Sequence, residues 1–228
     1  EAVDQVLSLA RCREEEIVAV VAAEPQVRLP ERVRGVTIDH HEAHAATAYL
    51  TSGIAHAGVL VCDSSPEREL SVWTGHEGTV TDGHWPWRGR AFATLFAECA
   101  ELFGFARGQE HRLEALARLG GRSHLDRLRT LMRYEDGELH IDRTWRAHLA
   151  EWIDAERARR NGLAPAVAAA VQARIGELLL DVCGAIRESL GVDALCLGGG
   201  LFFNTYFTTL VRASGLFDHV SVPINPGN

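Results

Sequence analysis

The apolar run "DALCLG" ends in three consecutive glycines, Gly198, Gly199 and Gly200, and "LFFNTYFTTLVRASG" follows as a helix candidate. A continuously apolar strand has no face to offer water, so it belongs inside a sheet covered on both sides. Glycine turns of this kind let backbone or ligand approach closely, and N–H groups at a helix start favour phosphate. A sheet covered on both faces takes its ligands at the carboxyl ends of its strands, where this turn lies. Tight strand-to-helix turns need glycine as well, so the triplet alone does not establish a ligand. Asn204 would fall on the first helical turn, either facing that ligand or capping the helix.

The rest of the chain alternates in the same way. Residues 1–12 carry apolar positions at helical spacing, and "EEIVAVVAA" and "RVRGVTIDHH" read as strands. "EAHAATAYLTSG" is alanine-rich and closed by Gly53, hence a helix. Residues 57–80 read as two strands around a polar turn at 63–67, and "AFATLFAECAELFGF" and "HRLEALARL" as helices. "MRYEDGELHID" predicts a hairpin turning at Asp136 and Gly137. Residues 164–191 predict one long helix, with Pro165 in its first turn and Gly191 at its end. "HVSVPINPGN" supplies a last strand and a loop. Without repeats or low-complexity stretches, this order predicts an α/β domain spanning 1–228.

Composition narrows the chemistry. All 23 basic residues are arginine, which excludes Schiff-base catalysis and a Walker-type phosphate lysine. The net charge of −8 comes with no basic stripe, so nucleic acid is not an expected partner. No apolar run reaches membrane-spanning length and no signal peptide precedes the domain; a cytoplasmic setting is expected. Four of the five cysteines, Cys62, Cys99, Cys183 and Cys196, sit in apolar surroundings and read as small core residues. The arginine and alanine richness goes with high-GC bacterial genes. The missing initial methionine and abrupt end suggest a piece of a longer protein.

The densest chemistry lies at "TIDHHEAHAATAYL". His40 and His44 are spaced i, i+4, which puts their Cβ atoms about 5–6 Å apart on one helix face, a spacing suited to one shared ion. His41 points elsewhere. Asp63 ends the strand "GVLVCD", where its carboxylate would complete a mixed nitrogen and oxygen set suited to a divalent transition metal. The competing readings are solvated histidines at a capped helix start, and an Asx-turn aspartate opening the turn at 63–67.

Taken in order, "DHHEAHAATAY", the strand ending "VCD" with Glu67 four residues on, "GQEHRLEALARLG", "AVQARIGELLLDV" and "LCLGGGLFFNTYF…VSVPINPGN" resemble the NodU/CmcH-type O-carbamoyltransferases. The likeness is to their N-terminal, Kae1-type domain, of the actin/Hsp70-like (ASKHA, ribonuclease H-like) class, and it covers essentially the whole chain. It implies a metal ion, Fe²⁺ first and Zn²⁺ second, held by His40, His44 and Asp63. It implies that Gly199, Gly200 and Asn204 bind an adenine nucleotide, with Gly198 in the same turn and Glu110 and Arg112 in the "GQEHRLEALARLG" segment. A YrdC-like domain or separate chain would make carbamoyl-adenylate from carbamoyl phosphate and ATP. The Kae1-type domain would pass the carbamoyl group to a hydroxyl of a small-molecule acceptor, as in antibiotic biosynthesis. His41 and Glu67 are candidates for the base that takes the hydroxyl proton.

Departures from the family pattern keep two alternatives open. The first N-terminal hairpin and the YrdC-like domain are absent, so the domain is expected to be incomplete at both ends. Ser64, Ser65 and Pro66 stand in place of a glycine-rich loop, Arg112 replaces a lysine, and Asn228 an aspartate that would be a further metal ligand. These changes speak for a degenerate binding or scaffold subunit, the alternative to the preferred reading of an O-carbamoyltransferase. A relative of the tRNA threonylcarbamoyl-transfer proteins is the other alternative, disfavoured by the acidic charge.

Overall fold

The computed structural model describes residues 2–17, 19–23, 34–65, 68–87 and 90–227. Glu67 and Asn228, both singled out from the sequence, lie outside them. The chain divides into two compact units, Glu1–Ala43 and His44–Asn228. The first holds helix α1 (Ala2–Ala10), a short 3-10 turn and the parallel pair β1 (Ala19–Ala22) and β2 (Arg34–Thr37). Helix α2 (His40–Leu50) crosses the division without a break. It starts at His40 because Asp39 Oδ1 accepts the Glu42 N–H at 3.0 Å, an N-cap the sequence shows as Asp39 followed three residues on by Glu42.

The second unit is built on a five-stranded sheet. Residues 57–80, expected to give two strands, contain three: β3 (His56–Cys62), β4 (Leu70–His76) and β5 (Thr79–Asp82). Glu77 and Gly78, both at positive φ (47° and 79°), form the tight turn that folds β5 back on β4. β8 (Ala194–Gly198) pairs parallel with β3, and β9 (His219–Ser221) parallel with β8. The order β5-β4-β3-β8-β9, with β4 antiparallel to both of its neighbours, is the expected ribonuclease H-like arrangement. The remaining strands, β6 (Met132–Glu135) and β7 (Glu138–Ile141), form the expected hairpin, with Asp136 and Gly137 at positive φ.

Side chains alternate between two cores. Val59 and Val61 of β3, Trp73 of β4 and Cys196 of β8 lie under Ala45, Ala48 and Tyr49 of α2. Leu60, Leu70, Leu195 and Leu197 face the larger core. That core is roofed by α3 (Phe92–Leu102), α4 (Glu110–Ala117), α5 (Leu125–Leu131), α6 (Trp145–Arg159), α7 (Pro165–Leu190) and α8 (Thr205–Ala213). β3 and β8 are therefore buried on both faces, as their apolar runs require. The four core cysteines are buried. Helix α7 ends where expected: Gly191 is left-handed (φ 62°) and its N–H donates to Arg187 O at 2.8 Å.

Two helices were not expected. α6 shows the signal plainly, with Trp145, Leu149, Ile153 and Glu156 buried at helical spacing. α5 has only seven residues, and its period is too short to stand out. Among the described residues no helix is long and apolar enough to cross a membrane.

Candidate functional site

Helix α2 sits close on the sheet because Gly198 has no side chain. A Cβ there would lie 3.0 Å from His44 O and 3.4 Å from Ala48 Cβ, so the glycine lets α2 come down on β8 at His44 and Ala48. His44 Nε2 then meets Asp63 Oδ2 at 2.8 Å, both groups being buried. His40, one turn earlier on the same helix, joins them. One ligand atom from each of His40, His44 and Asp63 lies within 4.8 Å of the others. Two imidazoles and one carboxylate make a mixed nitrogen and oxygen donor set of the kind that suits a first-row divalent ion.

Asp63 serves the fold with one oxygen and the cluster with the other. Oδ1 accepts the Ser64 N–H at 2.7 Å, while Oδ2 faces His44 and, at 3.4 Å, the Gly200 N–H. Burial alone would raise its pKa. The hydrogen bond from His44, the Ser64 N–H, the His44 charge and the Gly200 N–H outweigh that and hold it well below the usual carboxylate range. It is thus an ionised carboxylate at the head of a turn: one oxygen makes the turn contact read from the sequence, and the other is turned toward His44.

The glycine turn differs from the expectation of open amides awaiting phosphate. The Gly199 N–H donates to Pro226 O at 2.6 Å and the Gly200 N–H faces Asp63. The turn leads first into a 3-10 segment, Gly200–Phe203, and α8 begins only after Asn204. Asn204 is therefore the N-cap rather than a first-turn residue: its Oδ1 accepts the Tyr206 N–H at 3.0 Å.

Beside Asp63 opens a cleft of about 590 Å³. Asp63, Gly200 and Asn204 form one side, and α3 and α4 form the other with Ala93, Ala97 and Glu110. The structure thus brings Gly200, Asn204 and Glu110 into the lining of one cleft with Asp63. Gly198 and Gly199 are instead packed against α2 and β3. Arg112 is exposed on the far side of α4, its guanidinium 5.1 Å over the Phe105 ring, and does not line the cleft. His41 is buried (1% exposed) and is not in the cleft wall either. Next to Asn228, Gly227 is packed so closely that a Cβ on it would lie 3.1 Å from Gly200 Cα.

Several polar residues of the site escaped the sequence reading. Glu98 on α3 lines the cleft and is held by Arg90 and Arg146 at 3.0 and 2.9 Å. Glu114 on α4 accepts the Thr205 hydroxyl at 2.6 Å, and Gln172 on α7 accepts from Asn204 Nδ2 at 3.2 Å. The available signal was a polar residue on an apolar face: Glu114 falls between Leu113 and Ala117, and Gln172 follows the run "AVAAAV".

A family model described as "Carbamoyltransferase N-terminus" matches residues 14–228. Uncharacterized protein sll1178 of Synechocystis sp. is 25% identical over 207 residues, covering 80% of this chain and 32% of that protein. Nodulation protein NolO of Bradyrhizobium diazoefficiens is 26% identical over 199 residues, covering 81% and 35%. The chain spans about a third of the length of these curated relatives. Among solved structures, the activator of the 2-hydroxyisocaproyl-CoA dehydratase from Clostridium difficile with bound ADPNP superposes with a TM-score of 0.54 at 8% identity, over 98% of this chain and 74% of that one. Full-length HypF in its phosphate- and nucleotide-bound form also gives 0.54, at 13% identity over 99% and 46%. At such identities the likeness is one of fold, and that fold is the actin/Hsp70-like (ASKHA) class.

Proposed function

This chain belongs to the carbamoyltransferase N-terminus family, and from that premise we propose that it is the domain that transfers a carbamoyl group from carbamoyl-adenylate to a hydroxyl of a small-molecule natural product or sugar. The observation that carries this reading is the convergence of His40, His44 and Asp63 beside a cleft of small-molecule size. His40, His44 and Asp63 would hold Fe²⁺ or Zn²⁺, with Asn228 as a neutral fourth donor. Bound there, such an ion supplies Lewis-acid polarisation of a carbamoyl or phosphate oxygen.

The chain's own residues do the rest. Asp63, kept ionised by His44 and two backbone N–H groups, offers a fixed anionic oxygen at the cleft edge. Asn204 directs its amide at the adenine nucleotide, and the small side chains Ala93 and Ala97 leave room for the acceptor. The acceptor oxygen bonds to the carbamoyl carbon as the mixed-anhydride C–O bond breaks, and AMP leaves with the electron pair. The hydroxyl proton passes to a base, for which Glu67, just after Asp63 in sequence, is preferred to the buried His41. A YrdC-like domain or separate chain supplies the carbamoyl-adenylate.

The test is metal content together with transfer. The wild-type chain, equilibrated anaerobically with Fe²⁺ or Zn²⁺ and desalted, should retain close to one ion. His44→Ala and Asp63→Ala should retain none and should lose transfer of labelled carbamoyl from supplied carbamoyl-adenylate to hydroxyl acceptors. A wild-type chain that keeps no metal and transfers nothing would leave the degenerate scaffold subunit, to which the serine–proline turn after Asp63, Arg112 and Asn228 point, as the better account.

A further inference from the structure

Asn204 lines the cleft yet is only 7% exposed, and its side-chain amide is gripped from two directions. A backbone N–H can only donate, so the atom facing Tyr206 N at 3.0 Å must be Oδ1. Nδ2 is thereby turned toward α7, where Gln172 Oε1 accepts from it at 3.2 Å. Gln172 is itself 4% exposed, in a stretch of α7 otherwise made of alanine and valine. A buried amide in that setting is costly unless hydrogen-bonded.

We propose that Gln172 is a positioning residue. It fixes the Asn204 amide so that its second Nδ2 hydrogen, a donor, serves the cleft. The cleft ligand must then offer an acceptor oxygen at that point, such as a phosphate, ribose or carbamoyl oxygen. This ligand assignment rests on the nucleotide reading above; the orientation of Asn204 does not. Holding α8 in place is a separate task. The Thr205 hydroxyl is bound by Glu114 at 2.6 Å, and Arg118 contacts both partners at 2.8 and 2.9 Å. Removing the Gln172 carbonyl therefore frees the amide while the start of α8 stays anchored.

The test uses the full chain and two variants. Gln172→Met keeps the length but has no amide acceptor, and Gln172→Glu keeps an acceptor oxygen. Hydrogen exchange of the Asn204 side-chain amide, followed by ¹⁵N NMR, should be slow in the wild type, fast in Gln172→Met and slow again in Gln172→Glu. Binding of ADPNP should weaken roughly tenfold in Gln172→Met, as for one lost hydrogen bond and a misoriented donor, with recovery in Gln172→Glu. Slow exchange in Gln172→Met would overturn the proposal. So would fast exchange in the wild type, a result that needs no variant to fold. ADPNP bound equally well by wild type and Gln172→Met would overturn the ligand assignment. A wild type that binds no ADPNP, but whose Asn204 amide loosens in Gln172→Met, would support the positioning role and sink the nucleotide reading instead.

Discussion

Gly199 has no room for a side chain. Its φ of 96° lies where L residues rarely go, and a Cβ would stand 2.2 Å from Cys62 O and 2.6 Å from Cys62 C. The close approach that the sequence suggested is thus one of backbone to backbone, between the ends of β8 and β3. Gly199→Ala should cost roughly 3–5 kcal/mol, because strain and overlap with immovable backbone add. Gly53, at φ 71° with nothing within 4 Å of a Cβ, is the control; Gly53→Ala should cost about 1 kcal/mol. Urea unfolding of the two variants checks the difference, and equal midpoints would show that the β8 turn yields. Asn228 makes the other prediction at this scale. If it donates to the ion, as proposed, its amide brings no charge. Asn228→Asp should tighten Fe²⁺ or Zn²⁺ roughly tenfold or more, read as dissociation constants at one pH. Equal constants would mean that residue 228 does not face the ion.

Among elements, α7 shows how a helix can be plain in sequence while its cap is not. Pro165 and Gly191 mark its ends, but Ala164 at the N-cap has no side-chain oxygen. The missing acceptors come from Glu156 near the end of α6. Its two carboxylate oxygens take the N–H groups of Ala166 and Val167, each at 3.0 Å, with the side chain almost wholly buried. An anion at a helix N-terminus also opposes the helix dipole favourably. Glu156→Ala leaves two N–H groups unmet in the interior and should cost about 2–4 kcal/mol. Glu156→Gln keeps one acceptor and should cost about half as much. Thermal and urea unfolding of the two variants provide the comparison. An alanine variant as stable as wild type would show that water replaces the carboxylate.

For the molecule as a whole, stability against acid follows from its paired carboxylates. Asp82, closing the β4–β5 edge, receives Arg68 in a two-pronged contact at 2.7 and 3.0 Å, which holds its pKa below the usual carboxylate value. A depressed folded-state pKa stabilises at pH above the unfolded value, near 3.8, and that contribution is lost as pH falls toward the folded value. Because the pair is only partly buried, it is worth about 1 kcal/mol. The stability gap between wild type and Asp82→Asn should therefore be flat from pH 8 to 5 and should shrink below pH 4. Chemical denaturation across that range would show it. A gap that widened on acidification would mean that Arg68 does not pair with Asp82 in solution.

The α/β class, the long helix 164–191 and the histidine pair could all be read from the chain, because each rests on local periodicity or a residue's own backbone preference. His40 and His44 share a helix face through spacing alone, and Asp63 lies at a strand end because its strand is a short apolar run. Long-range partners could not be read. Nothing near residue 199 says that Pro226 will take its N–H, and nothing near Asn204 names Gln172. Those pairings depend on β3 and β8 lying side by side and on α7 packing over them. Local propensity shapes the elements, whereas a hydrogen-bond partner 32 residues away is chosen only when the packed fold brings the two groups within reach.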